Sequence, residues 1–206
     1  EWYWEEGGAG QYTLFLQHNP FVTLDDPRQS NCQYTLLAPR LVFLDSDETL
    51  MLPNRSEQLT QLDLSGCEKL TNIDGLQKLT SLTKLHLRGC KRLKNVDGLQ
   101  HLTSLAELDL GFCESLTNVD GLENLTNLTD LSLVACESLT NIDGLQNLTS
   151  LTKLHLFGCE KLSNVDGLQN LTNLTELHLF RCEKLSNVDG LKKLTNLTKL
   201  DLSNCE

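Results

Sequence analysis

Several things are missing from this 206-residue chain, and each absence narrows what it can be. No apolar run approaches the roughly eighteen residues that a bilayer span requires. Positive charge is scarce: 17 Lys and Arg face 28 Asp and Glu, for a net charge of −11. A nucleic-acid backbone or an anionic membrane would repel such a surface, so neither is expected as a partner. There is no Gly-rich phosphate loop, nucleophile elbow or metalloprotease helix, and no CxxC or Cys/His cluster of the kind that zinc or redox chemistry uses. An enzyme is therefore not expected, and neither is a cofactor. Aromatics make up 5% of the chain, and both Trp, all three Tyr, all four Pro and half the Phe fall before about residue 56. No signal peptide is present, but the chain opens on Glu1-Trp2-Tyr3-Trp4 rather than Met, as a mature or trimmed form would.

What is present is a clock. Cys67, Cys90, Cys113, Cys136, Cys159, Cys182 and Cys205 stand 23 residues apart. Around them runs LxxLxLxxCxxLxNxDGLxxLxx, repeated almost verbatim from about Leu59 to Glu206. A period in the twenties predicts a stacked solenoid. In each copy Leu85 and Leu87, or their equivalents, alternate with polar neighbours as a half-buried strand requires. Leu93, Val96, Leu99 and Leu102 then recur every three residues, the spacing of 3₁₀ turns. Asp97, just before Gly98-Leu99, is expected to cap that turn by accepting a backbone N–H. One copy cannot bury its leucines alone. Stacked copies share a core, and seven parallel strands would span about 29 Å at about 4.8 Å per step.

The LxxLxLxx pattern resembles the leucine-rich repeat, over roughly the last three quarters of the chain. The Asp74-Gly75-Leu76-Gln77-Lys78-Leu79 half, which returns five more times, is most similar to the internalin type. The resemblance implies an α/β-type solenoid with a parallel concave sheet and a 3₁₀ or turn convex side. Two features depart from that type: Cys stands where Asn is usual, as in plant immune receptors, and each copy is one residue longer.

The cysteines are expected to be free. Stacked at about 4.8 Å with parallel Cα–Cβ vectors they do not meet the converging, about 3.8 Å Cβ separation of a disulfide. Each should act as a small buried plug donating a weak S–H bond to a backbone carbonyl. Cys32 lies outside this series, and a bond from it to Cys67 stays open.

Residues 1–56 carry no repeat. The short apolar segments Gln11–Gln17, Phe21–Leu24, Gln33–Leu37 and Leu41–Leu44, broken by Asn-Pro, Asp-Asp-Pro and Ala-Pro, predict a small β-rich unit. Because an open solenoid end exposes leucines, the unit is read as a cap for the solenoid at 57–206, about six and a half repeats, with a separate binding or assembly domain as the alternative. Asp45, Asp47 and Thr49 match the DxDxT signature of haloacid-dehalogenase-like phosphatases. That chemistry also needs a Lys, further acidic groups for Mg²⁺ and a doubly wound sheet, so the match is read as chance.

The copies differ mainly on the predicted outer face of the sheet. One column runs Asp63, His86, Asp109, Ser132, His155, His178, Asp201; the next runs Ser65, Arg88, Gly111, Val134, Phe157, Phe180, Ser203; beside it lie Gly66, Gly89, Phe112, Ala135, Gly158, Arg181 and Asn204. Aromatics and Arg amid polar residues fit a protein-binding hot spot. The expected contact residues are His86, Arg88, Phe112, Val134, His155, Phe157, His178, Phe180 and Arg181. Drift at exposed positions would also diversify them. A metal held by His155, His178 and Asp201 is weighed and set below a solvated column. Sequons such as Asn124-Leu125-Thr126 and Asn196-Leu197-Thr198 fall out of the LTNLT consensus and matter only on a eukaryotic secretory route.

The leading expectation is a non-enzymatic protein, outside the cell or at its surface, that recognises a protein or glycan through the concave sheet. The alternative is a self-assembling subunit of a filament or surface layer. Its copies would join head-to-tail, through the strand edge after Asp201 and the N-terminal unit of the next copy.

Overall fold

The computed structural model describes three N-terminal strands at 2–6, 11–16 and 33–37 and the continuous stretch 59–205. The described residues form one sheet whose strand order follows the chain from β1 to β10. β1 (Trp2–Glu6) pairs antiparallel with β2 (Gln11–Leu16), which pairs parallel with β3 (Gln33–Leu37). β3 pairs parallel with β4 (Leu59–Asp63) through a register shift at Tyr34/Thr35, so the N-terminal strands and the first repeat share a sheet. Six three-residue strands follow in parallel: β5 (Lys84–His86), β6 (Glu107–Asp109), β7 (Asp130–Ser132), β8 (Lys153–His155), β9 (Glu176–His178) and β10 (Lys199–Asp201). Segments Phe21–Leu24 and Leu41–Leu44, Cys32, and the Asp45, Asp47 and Thr49 motif lie outside the described residues.

Each inner rung buries the leucines that its periodicity marks. In one, Leu131, Leu133, Cys136, Leu139, Ile142 and Leu145 are all fully buried. A buried leucine is worth about 1.5–3 kcal/mol relative to an exposed one, and here the shelter comes from the rungs above and below. Leu200 on β10 and Leu202 just after it are exposed.

The opposite side of each rung turns through a short 3₁₀ segment: Asp74–Lys78, Asp97–Leu99, Asp120–Leu122, Asp143–Leu145, Asp166–Leu168 and Asp189–Leu191. The expectation that Asp97 caps this turn is corrected. Its own N–H is the group being capped, by Asn95 Oδ1 at 3.3 Å, and the same bond is 2.6 Å from Asp74 to Asn72 and 2.8 Å from Asp189 to Asn187. The Asp is already the first turn residue. The Asn two positions earlier closes an Asx-type turn onto it. The Gly that follows has a different reason: a Cβ at Gly98, Gly121, Gly144, Gly167 or Gly190 would overlap a carbonyl oxygen of the preceding rung.

Three ladders tie neighbouring rungs together. Cys67, Cys90, Cys113, Cys136, Cys159, Cys182 and Cys205 are all free, the first six of them buried. The Cys90 thiol donates to the Leu64 carbonyl at 3.5 Å, Cys136 to Leu110 at 3.2 Å, and Cys205 to Leu179 at 3.1 Å. Burial pushes the Cys113 thiol up to about 12 and raises Cys136 and Cys159 as well. The hydroxyls of Thr83, Thr129, Thr152, Thr175 and Thr198 donate to the backbone one rung earlier. The amides of Asn127, Asn173 and Asn196 do the same at 2.8–2.9 Å. The Asn of LTNLT therefore has a structural use in this fold.

Candidate functional site

Alternation along each strand sends one side chain in and the next out, so every strand presents three outward columns. The parallel register aligns them: His86 lies opposite Asp63 and Asp109, and His155 opposite Ser132 and His178. The column order read from the repeats is thus the spatial order.

Around β8 and β9 the structure gathers Val134, His155, Phe157, His178 and Phe180, with Asp201, at one shallow hollow of about 280 Å³. Phe157 and Phe180 stand on adjacent rungs with ring centroids 5.1 Å apart and planes tilted by 33°. His155 and His178 repeat that stacking at 5.1 Å and 44°. Both phenylalanines are half-buried and lie outside the leucine core. Aromatic pairs in this arrangement contribute about 0.5–1.5 kcal/mol beyond their area, while their outer faces stay available to a partner.

A second cluster forms three rungs earlier. The Arg88 guanidinium lies 4.3 Å from the centre of the Phe112 ring, and its Nη1 is 3.9 Å from Asp109. Gly111 makes the room: a Cβ there would come within 2.9 Å of Arg88 Nη1 and 3.0 Å of Asp109 Oδ1. His86 is paired with Glu107 at 3.3 Å. Arg181 is exposed at the turn after β9 and does not line the hollow. The nine expected contact residues thus fall into two groups on one face, with Arg181 beside the hollow of β8 and β9.

Two features escaped the sequence reading. The first is the outward column before the buried strand leucine: Lys84, Glu107, Asp130, Lys153, Glu176 and Lys199. Its charges pair along the sheet, Lys84–Glu107 at 2.7 Å, Lys153–Asp130 at 3.8 Å and Lys199–Glu176 at 3.1 Å. The Lys84 hydrogen bond, with His86 adding to it, holds the Glu107 carboxyl below its usual range; Lys199 and His178 do the same for Glu176. Ser203 lowers Asp201 in the same way. The mixed signs at one repeat position were the available signal.

The second is backbone strain. The column of Gly66, Gly89 and Gly158 is left-handed, with φ of 76°, 75° and 74°. Phe112, Ala135, Arg181 and Asn204 occupy the same turn with φ of 54–60°. A bulky side chain in that region is uncommon and costs about 1–2 kcal/mol. Three glycines in seven copies were the signal for it. Two of the nine expected contact residues, Phe112 and Arg181, sit on this strained backbone.

The family described as BspA type Leucine rich repeat region (6 copies) matches residues 88–206, and Leucine Rich repeats (2 copies) matches residues 57–101. Among solved structures, internalin C2 from Listeria monocytogenes is similar, at 26% identity and a TM-score of 0.62, over 94% of this chain and 80% of that one. An internalin (inlF) from the same organism is 22% identical with a TM-score of 0.46, over 73% of this chain and 56% of its own. No curated protein matches.

Proposed function

The chain belongs to the leucine-rich repeat family, with an internalin-like solenoid, and from that premise we propose that it is a non-enzymatic recognition protein whose outer sheet face holds a protein partner. The contact centres on Phe157, Phe180, Val134, His155 and His178, with His86, Arg88, Phe112 and Arg181 widening it. One observation carries this reading. Copies that are near-identical on the 3₁₀ side diverge on the sheet face, and the divergent residues on neighbouring rungs meet around one half-exposed aromatic hollow. Aromatic and Arg anchors of this kind, flanked by the paired charges of the Lys84–Lys199 column, form the centre and rim of many interfaces. Residues 1–56 cap the first repeat in the same proposal, supported by the pairing of β3 with β4. Placement outside the cell or at its surface is also part of it, supported by the likeness to an internalin.

The test is to select binders from a displayed peptide library and map the complex by hydrogen exchange. Protection is expected across β7–β9 and the turns that follow them. Protection confined to the 3₁₀ segments Asp97–Leu99 through Asp189–Leu191 would refute the placement, and a library that yields no binder would count against a protein partner.

A further inference from the structure

We propose that His155, Glu176 and His178 form a binding site for a divalent transition-metal ion of the zinc class. One donor atom from each of the three side chains lies within 4.8 Å of the other two, the one such group among the described residues. The backbone fixes the arrangement. Parallel pairing sets His155 directly opposite His178, and Glu176, two residues earlier on β9, projects from the same face. Glu176 Oε1 already stands 3.0 Å from His178 Nε2.

Zinc bonds of about 2.0–2.2 Å at tetrahedral angles place neighbouring donors about 3.3–3.5 Å apart. Closing from 4.8 Å asks for side-chain rotations of about 1.5 Å or less, within reach of half-buried imidazoles that no core packing locks. Two imidazoles and a carboxylate suit Zn²⁺, Ni²⁺, Co²⁺ or Cu²⁺, whereas Ca²⁺ and Mg²⁺ prefer oxygen alone. Three protein ligands leave a coordination position open toward the hollow that Phe157 and Phe180 line.

The nearest cation does not occupy the donor that the ion needs. Lys199 Nζ binds Glu176 Oε2 at 3.1 Å, leaving Oε1 turned to the histidines. Lys153, ahead of His155 on β8, is paired with Asp130. The ligand set differs from the column weighed in the sequence. Asp201 does not belong to the converging group, its Oδ1 accepting bonds from the Ser203 N–H at 2.9 Å and hydroxyl at 2.6 Å, and the third ligand is Glu176 from the neighbouring column. The site shares two histidines with the recognition surface but does not depend on that reading, and no partner is needed to test it.

The experiment is a Co²⁺ titration of the full chain followed by visible absorption, with Zn²⁺ competition by calorimetry. One ion per chain is expected, with d–d bands and no thiolate charge-transfer band. His155→Ser and His178→Ser reproduce the residue at Ser132, and Glu176→Gln the residue at Gln61, so the fold already accommodates them. Each His variant should weaken Zn²⁺ at least tenfold and Glu176→Gln several-fold. His101→Ala, at an exposed position outside the group, should change nothing. Absence of saturable binding below millimolar ion, undiminished binding in His155→Ser, or a thiolate band pointing to the cysteines would each overturn the site.

Discussion

Exchanging the residues at two equivalent turn positions isolates what the left-handed turn costs. Gly158 (φ 74°) and Arg181 (φ 59°) occupy the same place on successive rungs. A Cβ at Gly158 would find Ala135 Cα at 3.6 Å and its Cβ at 3.8 Å, ordinary contacts, so Gly158→Arg meets no obstacle at its Cβ and tests chiefly the backbone. A non-Gly residue in this region costs about 1–2 kcal/mol, and glycine gives back about 0.4–1 kcal/mol through its freer unfolded chain. Arg181→Gly should therefore stabilise the protein by about 0.5–1 kcal/mol, and Gly158→Arg should destabilise it by the same amount. For a chain of this size each should move Tm by about 1–4 °C, in opposite directions, in thermal unfolding followed by circular dichroism. If Arg181 serves recognition, its stabilised variant should also bind selected partners less well, the trade expected where strain is kept for function. A destabilised Arg181→Gly protein, or a neutral Gly158→Arg, would refute the strain argument.

Four further outcomes follow from the same geometry. Gly144→Ala drives a Cβ into the Val119 carbonyl and should cost about 1–3 kcal/mol in thermal unfolding, as overpacking does, with no change in the free thiols. The buried thiols should resist alkylation at pH 8 in the folded state, with half-buried Cys205 reacting first in a mass-spectrometric time course. The Cys113 thiol is raised to about 12, against about 8.5 in the unfolded chain. Its contribution is whole below pH 8.5 and is lost at about 1.4 kcal/mol per pH unit as pH rises toward 12, so stability should fall on the alkaline side. Gly111→Val should displace Arg88 from the Phe112 ring and remove a coupling of about 0.5–1 kcal/mol in an Arg88/Phe112 double-mutant cycle.

The fold was legible because one period governs it. The 23-residue spacing, the strand alternation at Leu85 and Leu87 and the three-residue spacing from Leu93 to Leu102 each reappear as a rung, a strand and a 3₁₀ side. The outward columns followed, since register in a parallel stack copies repeat position into space. The Asp97 cap was misread because Asn and Asp both accept backbone bonds, and only the turn's start decides which one reaches. The left-handed column was veiled by Phe112, Ala135, Arg181 and Asn204 in a place that only Gly66, Gly89 and Gly158 betray. Glu176 was passed over for a related reason: columns read one at a time hide neighbours that sit diagonally across two of them. β1 fell in a stretch where no repeat offers a second copy to compare.

The central claim is that the sheet face around β8 and β9 is the recognition surface, and truncating its aromatic pair tests it most directly. Phe157→Ala with Phe180→Ala should weaken a selected protein partner by about 2 kcal/mol or more, roughly thirtyfold, as interface anchors do. The leucine core should keep its thermal unfolding within a few degrees, since neither ring belongs to it. Unchanged affinity in a folded double variant would contradict the account.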